Sequence, residues 1–277
     1  MTIEELICLG NQVLHKDQTK LLLASILNMN ALELNMYLNN IVEEELVFKY
    51  KKCIENIKSG IPIQYALKST NFYGLNFYVD NRVLIPRFET EELVYNTNLF
   101  INKYLKNNIK VLDLCTGSGC IGLSLKHLNN NLDITLSDIS KGAIEVARFN
   151  SMELSLDVSI VESDLFSNIN NKFDVIISNP PYISYSDEVN ELVLKNEPKL
   201  ALYANNDGLE FYEKILSSCE KYLNQQYLIA FEIGSSQKDK VINLINKYLK
   251  DVKIIAKKDI YERDRMIFIF KNINLSE

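Results

Sequence analysis

The sequence predicts an α/β fold: a seven-stranded, mostly parallel sheet covered by helices on both faces, with a small N-terminal helical domain and a β-hairpin linker ahead of it. Three observations carry this. From residue 109 onward, short apolar strands alternate with helical runs through brief linkers. One strand, Phe173 to Ser178 (FDVIIS), is β-branched, short and bounded by turn residues, as a strand buried in a parallel sheet should be. Before residue 60 the apolar spacing is instead three and four residues, the period of helices.

The first segment places apolar stripes at Ile3-Leu6-Ile7-Leu9, Leu21-Leu22-Leu23-Ile26-Leu27 and Leu46-Val47-Tyr50-Cys53-Ile54-Ile57. Thr2 with Glu5 has the spacing of a capping box, and Gly60 with Pro62 ends the last helix. Short helices of this kind bury their stripes against one another, so residues 1–70 are expected to form a small bundle, serving as a structural appendage or for substrate recognition. Residues 61–88 then turn aromatic and β-rich, with turns at Gly74 and at Asp80-Asn81, which predicts a hairpin linker over 71–88. Glu89, Glu91 and Glu92 open a helix to about Leu105 with acids in its first turn, where the helix dipole favours them.

The third domain is expected over 89–277. Its strands are Lys110–Leu114, Ile134–Ser137, Val158–Val161, Phe173–Ser178, Tyr227–Ile233, Val252–Ala256 and Met266–Phe270. Its helices are Cys120–Leu128, Lys141–Asn150, Gly208–Leu223 and Gln237–Leu249. The last two strands lie too close for a crossover helix, so they predict an antiparallel hairpin at the sheet edge.

Composition removes several classes. The 277 residues are 47% hydrophobic and 24% charged, ordinary for a globular protein. No uninterrupted apolar run is long enough for a membrane span, and the start MTIEELICLG carries acids where a signal peptide has bases, which predicts a cytoplasmic protein. Five scattered cysteines with no C-x-x-C pair indicate neither a disulfide framework nor zinc, so no metal is expected. His15 and His127 stand alone and read as structural or surface residues. The net charge of −6 argues against a duplex nucleic-acid partner and for a protein or small-molecule substrate.

Chemistry gathers at two strand ends. The first strand runs into Asp113-Leu114-Cys115-Thr116-Gly117-Ser118-Gly119-Cys120-Ile121-Gly122. Gly117 and Gly119 let the backbone turn tightly beside a ligand, with free amides of a helix N-terminus behind them. Taken alone, this spacing also fits a dinucleotide loop, and Asp138 at the next strand end would suit the ribose diol of either NAD or S-adenosyl-L-methionine. Asp113 separates the two readings: a carboxylate inside the strand end opposes a pyrophosphate and suits an ammonium group. Asp164 after the third strand is placed to meet an adenine amino group.

The fourth strand ends in Asn179-Pro180-Pro181-Tyr182. Neither proline can donate to a sheet ladder, so the chain leaves the sheet in a rigid turn. The Asn179 side-chain oxygen and the Pro180 carbonyl are two acceptors on that turn, able to grip a planar NH₂ group, with Tyr182 offering a ring face. A conjugated nitrogen is a poor nucleophile because its lone pair is delocalised. Holding both N–H groups aims that lone pair at a methyl donor.

These residues resemble the HemK/PrmC family, the glutamine-N5 methyltransferases that modify class 1 peptide chain release factors. Nearly the whole chain takes part. Pro62-Ile63-Gln64-Tyr65, Phe72-Tyr73-Gly74, Leu84-Ile85-Pro86-Arg87 with Glu89-Thr90-Glu91, the glycine loop and Asn179-Pro180-Pro181-Tyr182-Ile183 come in family order. Glu197-Pro198, Asp207-Gly208-Leu209, Glu232-Ile233-Gly234 and Asp259 with Asp264-Arg265 follow them. The resemblance implies a Rossmann-like class I methyltransferase, S-adenosyl-L-methionine as cofactor, S-adenosyl-L-homocysteine as product, and the glutamine of a release factor's Gly-Gly-Gln loop as acceptor. Asn179, Pro180 and Tyr182 are then the expected catalytic residues, with Pro181 and Glu197 also binding substrate. Asp113, Thr116, Gly117, Gly119, Asp138, Asp164, Phe166 and Asn179 are expected to hold the cofactor, joined from the linker side by Arg87, Phe88 and Thr90. A monomer with no direct nucleic-acid contact is expected. The competing readings are an adenine-N6 or guanine-N2 methyltransferase using the same grip on a flipped base, and a non-catalytic module that kept the fold. Four positions depart from the family: Cys115, Lys68 and Glu262 replace usual glycines and Phe88 a usual proline, which puts local loop geometry in question.

Overall fold

The computed structural model describes residues 1–106 and 108–275. The chain divides into two compact units, one of residues 1–70 with 190–196, the other of residues 71–189 with 197–277.

The smaller unit packs α1 (Ile3–Gly10), α2 (Lys16–Leu27), α3 (Ala31–Met36), α4 (Glu44–Lys58) and α5 (Ile63–Leu67). Its core joins Ile3 and Leu6 of α1 to Leu22, Leu23 and Ile26 of α2 and to Tyr50, Cys53 and Ile54 of α4. The capping box forms: Thr2 Oγ1 accepts from the Glu5 amide and Glu5 accepts from the Thr2 amide. Two parts of the sequence reading are corrected here. Residues 63–67 are helix, following Pro62 at the N-cap. The hairpin covers only β1 (Thr70–Phe72) and β2 (Leu75–Phe77), and residues 78–87 continue without regular structure. Tyr73 and Gly74 between the strands both have positive φ, as a tight hairpin loop matched to strand twist requires. The short α3 lies outside the three predicted stripes and was not foreseen.

The larger unit takes in this hairpin from Asn71 on and the segment after it, and its first helix is α6 (Phe88–Tyr104). There follow β3 (Lys110–Leu114), α7 (Cys120–Leu128), β4 (Asp133–Asp138), α8 (Lys141–Glu153), β5 (Ser159–Glu162) and β6 (Phe173–Ser178). Next come α9 (Glu191–Asn196), which belongs to the smaller unit, and α10 (Asn205–Gly208), interrupted by left-handed residues Asn206 and Asp207. The chain closes with α11 (Glu210–Ser218), β7 (Leu223–Glu232), α12 (Lys238–Tyr248), β8 (Val252–Lys258) and β9 (Asp264–Lys271). A predicted helix to Leu223 is thus shorter: α11 gives way to a 3₁₀ turn at Cys219–Tyr222, and β7 starts at Leu223.

The seven-stranded sheet has the order β5-β4-β3-β6-β7-β9-β8. Pairing is parallel from β5 to β7, and β9 runs antiparallel to both neighbours. The terminal hairpin is present, and its second strand, rather than its first, inserts against β7. Period-two alternation divides the apolar side chains between two cores. Val111, Val175, Ile177, Phe268 and Phe270 face α6 and α7. Leu112, Ile176, Ile267 and Ile269 face α11 and α12. Strand order reverses between β3 and β6, with Leu114 beside Ser178, and the crevice beyond such paired carboxyl ends is where an open α/β sheet binds ligands. Both predicted motifs leave the sheet there. Among the described residues no helix is long and apolar enough to cross a membrane.

Candidate active site

A cavity opens at this switch point. It is lined by the strand-end residues Leu114, Cys115, Gly117, Asn179 and Pro181, by Ser137 to Ser140 with Ala143 and by Ser163 to Leu165. The linker residues Arg82 to Leu84 and, farther along the chain, Leu200 and Phe211 also line it.

The glycine loop is built for close approach. Gly117 has φ +55, and a Cβ there would meet nothing within 4 Å, so a side chain would project into open space where the backbone now borders the cavity. Its amide donates to Asp138 Oδ2 at 2.9 Å, while Asp138 Oδ1 accepts from the Ser140 amide at 2.9 Å. Burial raises the Asp138 pKa against the lowering effect of those amides. Each carboxylate oxygen still has a lone pair for a ligand hydroxyl. Asp164 lines the cavity with no side-chain hydrogen bond among the described residues. The cavity's two cations are already engaged: Arg82 with Asp80 and Glu145, Lys214 with Glu210. A pyrophosphate would find two acids and no free counter-ion. The open Gly117 backbone and the exposed Asp164 carboxylate fit a nucleoside that carries hydroxyls, an amino group and a positive charge, as S-adenosylmethionine does.

Several predicted cofactor residues support the loop from behind. Asp113 is fully buried; its Oδ2 accepts from Thr116 Oγ1 at 2.6 Å and from the Gly122 amide at 2.9 Å. Its Oδ1 has no partner, and burial outweighs the two hydrogen bonds to push its pKa up to about 7. Thr116 is buried with it. Gly119 caps α7 against Leu123 and Leu136. Phe166 stacks on Tyr222 in the core, centroids 4.5 Å apart, and leaves its cavity position to Leu165. Cys115 keeps the left-handed conformation of the glycine it replaces, φ +59, and burial raises its thiol pKa, so it stays neutral.

The turn at 179–182 sits in a polar network. Asn179 Nδ2 donates to Thr90 Oγ1 at 3.3 Å, and Thr90 Oγ1 donates to Glu232 Oε2 at 2.6 Å. Tyr182 Oη donates to Glu232 Oε1 at 3.3 Å. Arg265 reaches Tyr182 Oη and the Ile233 carbonyl, and is held by Asp259. Glu232 is 1% exposed; burial raises its pKa, opposed by the Thr90 and Tyr182 hydroxyls and the Arg265 charge. Gln237 Nε2 donates to the Tyr182 carbonyl at 2.9 Å, and Gly208 packs against that same carbonyl. Among the described residues, Asn179 Oδ1 and the Pro180 carbonyl accept no hydrogen bond. Both oxygens are thus unengaged within the protein itself, Asn179 on the cavity wall and Pro180 buried just behind it.

Pro180 and Tyr182 lie outside the cavity wall, and Tyr182 packs on the core through part of its ring. Thr90, expected to bind cofactor, is 2% exposed behind Asn179. Arg87 and Glu197, expected at cofactor and substrate, bind each other at 2.6 Å, and the buried Glu197 also accepts from the Ile85 amide. They brace the linker beside the cavity. Phe88 is exposed outside the wall. Missed by sequence reasoning were Arg82, Val83 and Leu84, whose only signal was a linker of mixed character, and Ile139, which directly follows Asp138. Among the described residues no cluster of three His, Cys, Asp or Glu could hold a metal ion.

Comparison with known proteins agrees with this geometry. The family described as Methyltransferase small domain matches residues 87–201. A Streptococcus pneumoniae protein named Release factor glutamine methyltransferase is 40% identical over 229 residues, covering 82% of this chain and 81% of its own. A Bacillus subtilis protein of the same name is 35% identical over 269 residues, covering 93% and 92%. A solved methyltransferase from Pyrococcus furiosus shares the fold at a TM-score of 0.53 and 20% identity, covering 72% of this chain and 90% of its own. Glycine loop, switch-point cavity, rigid Asn-Pro-Pro-Tyr turn and these relatives lead to one assignment: the chain belongs to the release factor glutamine methyltransferase family.

Proposed function

We infer that the protein methylates the side-chain amide nitrogen (N5) of the glutamine in the Gly-Gly-Gln loop of class 1 peptide chain release factors, with S-adenosylmethionine as donor. The observation that carries this is the pair of unengaged acceptors, Asn179 Oδ1 and the Pro180 carbonyl, on a rigid turn whose Asn179 and Pro181 line the cavity. S-adenosylmethionine, when bound, supplies a methyl group on a positively charged sulfur. Asp138, Asp164 and the Gly117 backbone would hold it. Asn179 and Pro180 accept the two N–H groups of the glutamine amide and so direct its lone pair toward the donor side. Those two hydrogen bonds strengthen as positive charge develops on the nitrogen. Proline fixes the turn, so alignment loses little entropy on binding.

Residues 1–70 are assigned to substrate recognition, 71–88 to a linker and 89–277 to the methyltransferase domain. Exposed apolar side chains on the small unit, among them Leu32, Met36, Ile41 and Phe48, support the first assignment. We place the protein in the cytoplasm as a monomer, without direct nucleic-acid contact. Pairing of Arg82 and Lys214 with acids leaves the cavity without a cation for a phosphate backbone, which favours the protein substrate over a flipped base. Purified protein incubated with labelled cofactor and a release factor should label that factor. Labelling that persists when the loop glutamine is replaced would reject the assignment.

A further inference from the structure

We infer that Thr90 and Glu232 form a positioning relay that fixes which end of the Asn179 amide faces the substrate. The inference rests on the proposed methyl transfer to an amide and concerns two residues outside the cavity wall.

An asparagine side chain presents an acceptor at one end and donors at the other, and the two ends have nearly the same shape. The reaction requires the oxygen toward the substrate, because the substrate amide offers N–H groups. An inverted Asn179 would set donors against donors. Something must therefore distinguish the ends, and a proline-rich backbone cannot.

The network supplies the distinction by hydrogen-bond polarity. Glu232 is buried and accepts a short hydrogen bond from the Thr90 hydroxyl at 2.6 Å. With its O–H so directed, Thr90 Oγ1 is left as an acceptor and accepts a hydrogen bond from Asn179 Nδ2 at 3.3 Å. Nδ2 is held on that side, and Oδ1 is turned away from Thr90. The other Glu232 oxygen accepts from Tyr182 Oη, and the Arg265 guanidinium lies beside that hydroxyl. One carboxylate thus ties both ends of the Asn-Pro-Pro-Tyr turn, 53 positions along the chain from Asn179 and 142 from Thr90. Thr90 and Glu232 are buried outside the cavity wall and act through Asn179, so they are positioning residues.

The test uses full-length protein, a release factor and three variants. Thr90→Val keeps shape and removes the hydroxyl; Thr90→Ser restores it. Glu232→Gln carries an amide whose oxygen will face the donors Tyr182 and Arg265, which turns its NH₂ toward Thr90 and reverses the relay. Thr90→Val and Glu232→Gln should lower kcat by about 10- to 100-fold, with cofactor Kd and release-factor KM within about 3-fold of wild type. Thr90→Ser should stay within about 3-fold in kcat. An activity-independent readout accompanies this: the Asn179 side-chain amide resonance, assigned by its loss in Asn179→Ala, should move in Thr90→Val and return in Thr90→Ser. A Thr90→Val protein with wild-type kcat, or with the resonance unmoved, overturns the relay. So does a Thr90→Ser protein as impaired as Thr90→Val. If wild-type protein fails to label the release factor, the substrate assignment fails, and the resonance still decides the relay.

Discussion

Gly208 lies outside the cavity wall, yet replacing it with alanine should slow the reaction about 100-fold. A Cβ at this position would stand 2.0 Å from the Tyr182 carbonyl oxygen and 2.5 Å from Gln237 Nε2. Ordinary van der Waals contact requires more than about 3.4 Å, so the Tyr182 peptide must retreat by more than about 1 Å. The retreat breaks the bond from Gln237 to that carbonyl and carries the adjoining Pro180-Pro181 turn with it. Misplacement of about 1 Å at a reacting centre lowers rate by roughly 100-fold, equivalent to about 2.7 kcal/mol. Stability should fall as well, by about 1–2 kcal/mol for a side chain at φ +80 and about 1–3 kcal/mol for overpacking. Rates are therefore to be measured at a temperature where circular dichroism shows the variant folded, with cofactor affinity measured in parallel by calorimetry. The expected result is a reduced kcat with cofactor Kd within about 3-fold of wild type. A folded Gly208→Ala protein with kcat within about 3-fold of wild type would refute the coupling.

Asn179→Ala removes one of the two acceptors and should lower kcat by about 100- to 1,000-fold while cofactor affinity holds, measured by single turnover beside calorimetric titration. Lys68 and Glu262 occupy left-handed conformations, φ +55 and +60, where glycine is unstrained. Lys68→Gly and Glu262→Gly should each stabilise by about 0.5–1 kcal/mol in urea unfolding. Asp113 gives a pH signature. Its pKa is about 7 in the fold against about 4 unfolded, so the folded chain retains a proton there that the unfolded chain releases. Its stabilising contribution is complete below about pH 4 and is lost as pH rises through 7. Asn at this position can accept the same two bonds and place its NH₂ at the partnerless oxygen's position. The stability of Asp113→Asn relative to wild type should therefore improve from pH 4 to pH 8, by up to about 4 kcal/mol. Parallel unfolding curves for the two proteins at both pH values would contradict this.

Much of the site was legible because its parts are local. Asn179 to Tyr182 are four consecutive residues at a strand end, and Gly117 with Asp138 follow from strand–loop–helix spacing. Strand alternation pointed to the sheet, and Cys115, Lys68 and Glu262, read from the resemblance as departures from glycine, all have left-handed conformations. Illegible were the roles that depend on distant partners. Thr90, Arg87 and Glu197 were placed at the ligands because their motifs flank the site. In the fold they pair with residues 142 and 110 positions away, through a buried bond for Thr90 and a half-buried one for Arg87 and Glu197. Phe166 is a similar case: nothing local shows that it stacks on Tyr222. Short helices such as α3 and α5 carry too few turns to display a period.

The central claim is that this turn grips a glutamine amide. It is tested most directly by mass spectrometry of a release factor after incubation with the protein and S-adenosylmethionine, using wild-type factor and a factor whose loop glutamine is changed. A single added methyl group is expected on the glutamine of the Gly-Gly-Gln loop, and none on the changed factor. A methyl group elsewhere, or one that survives loss of that glutamine, would contradict it.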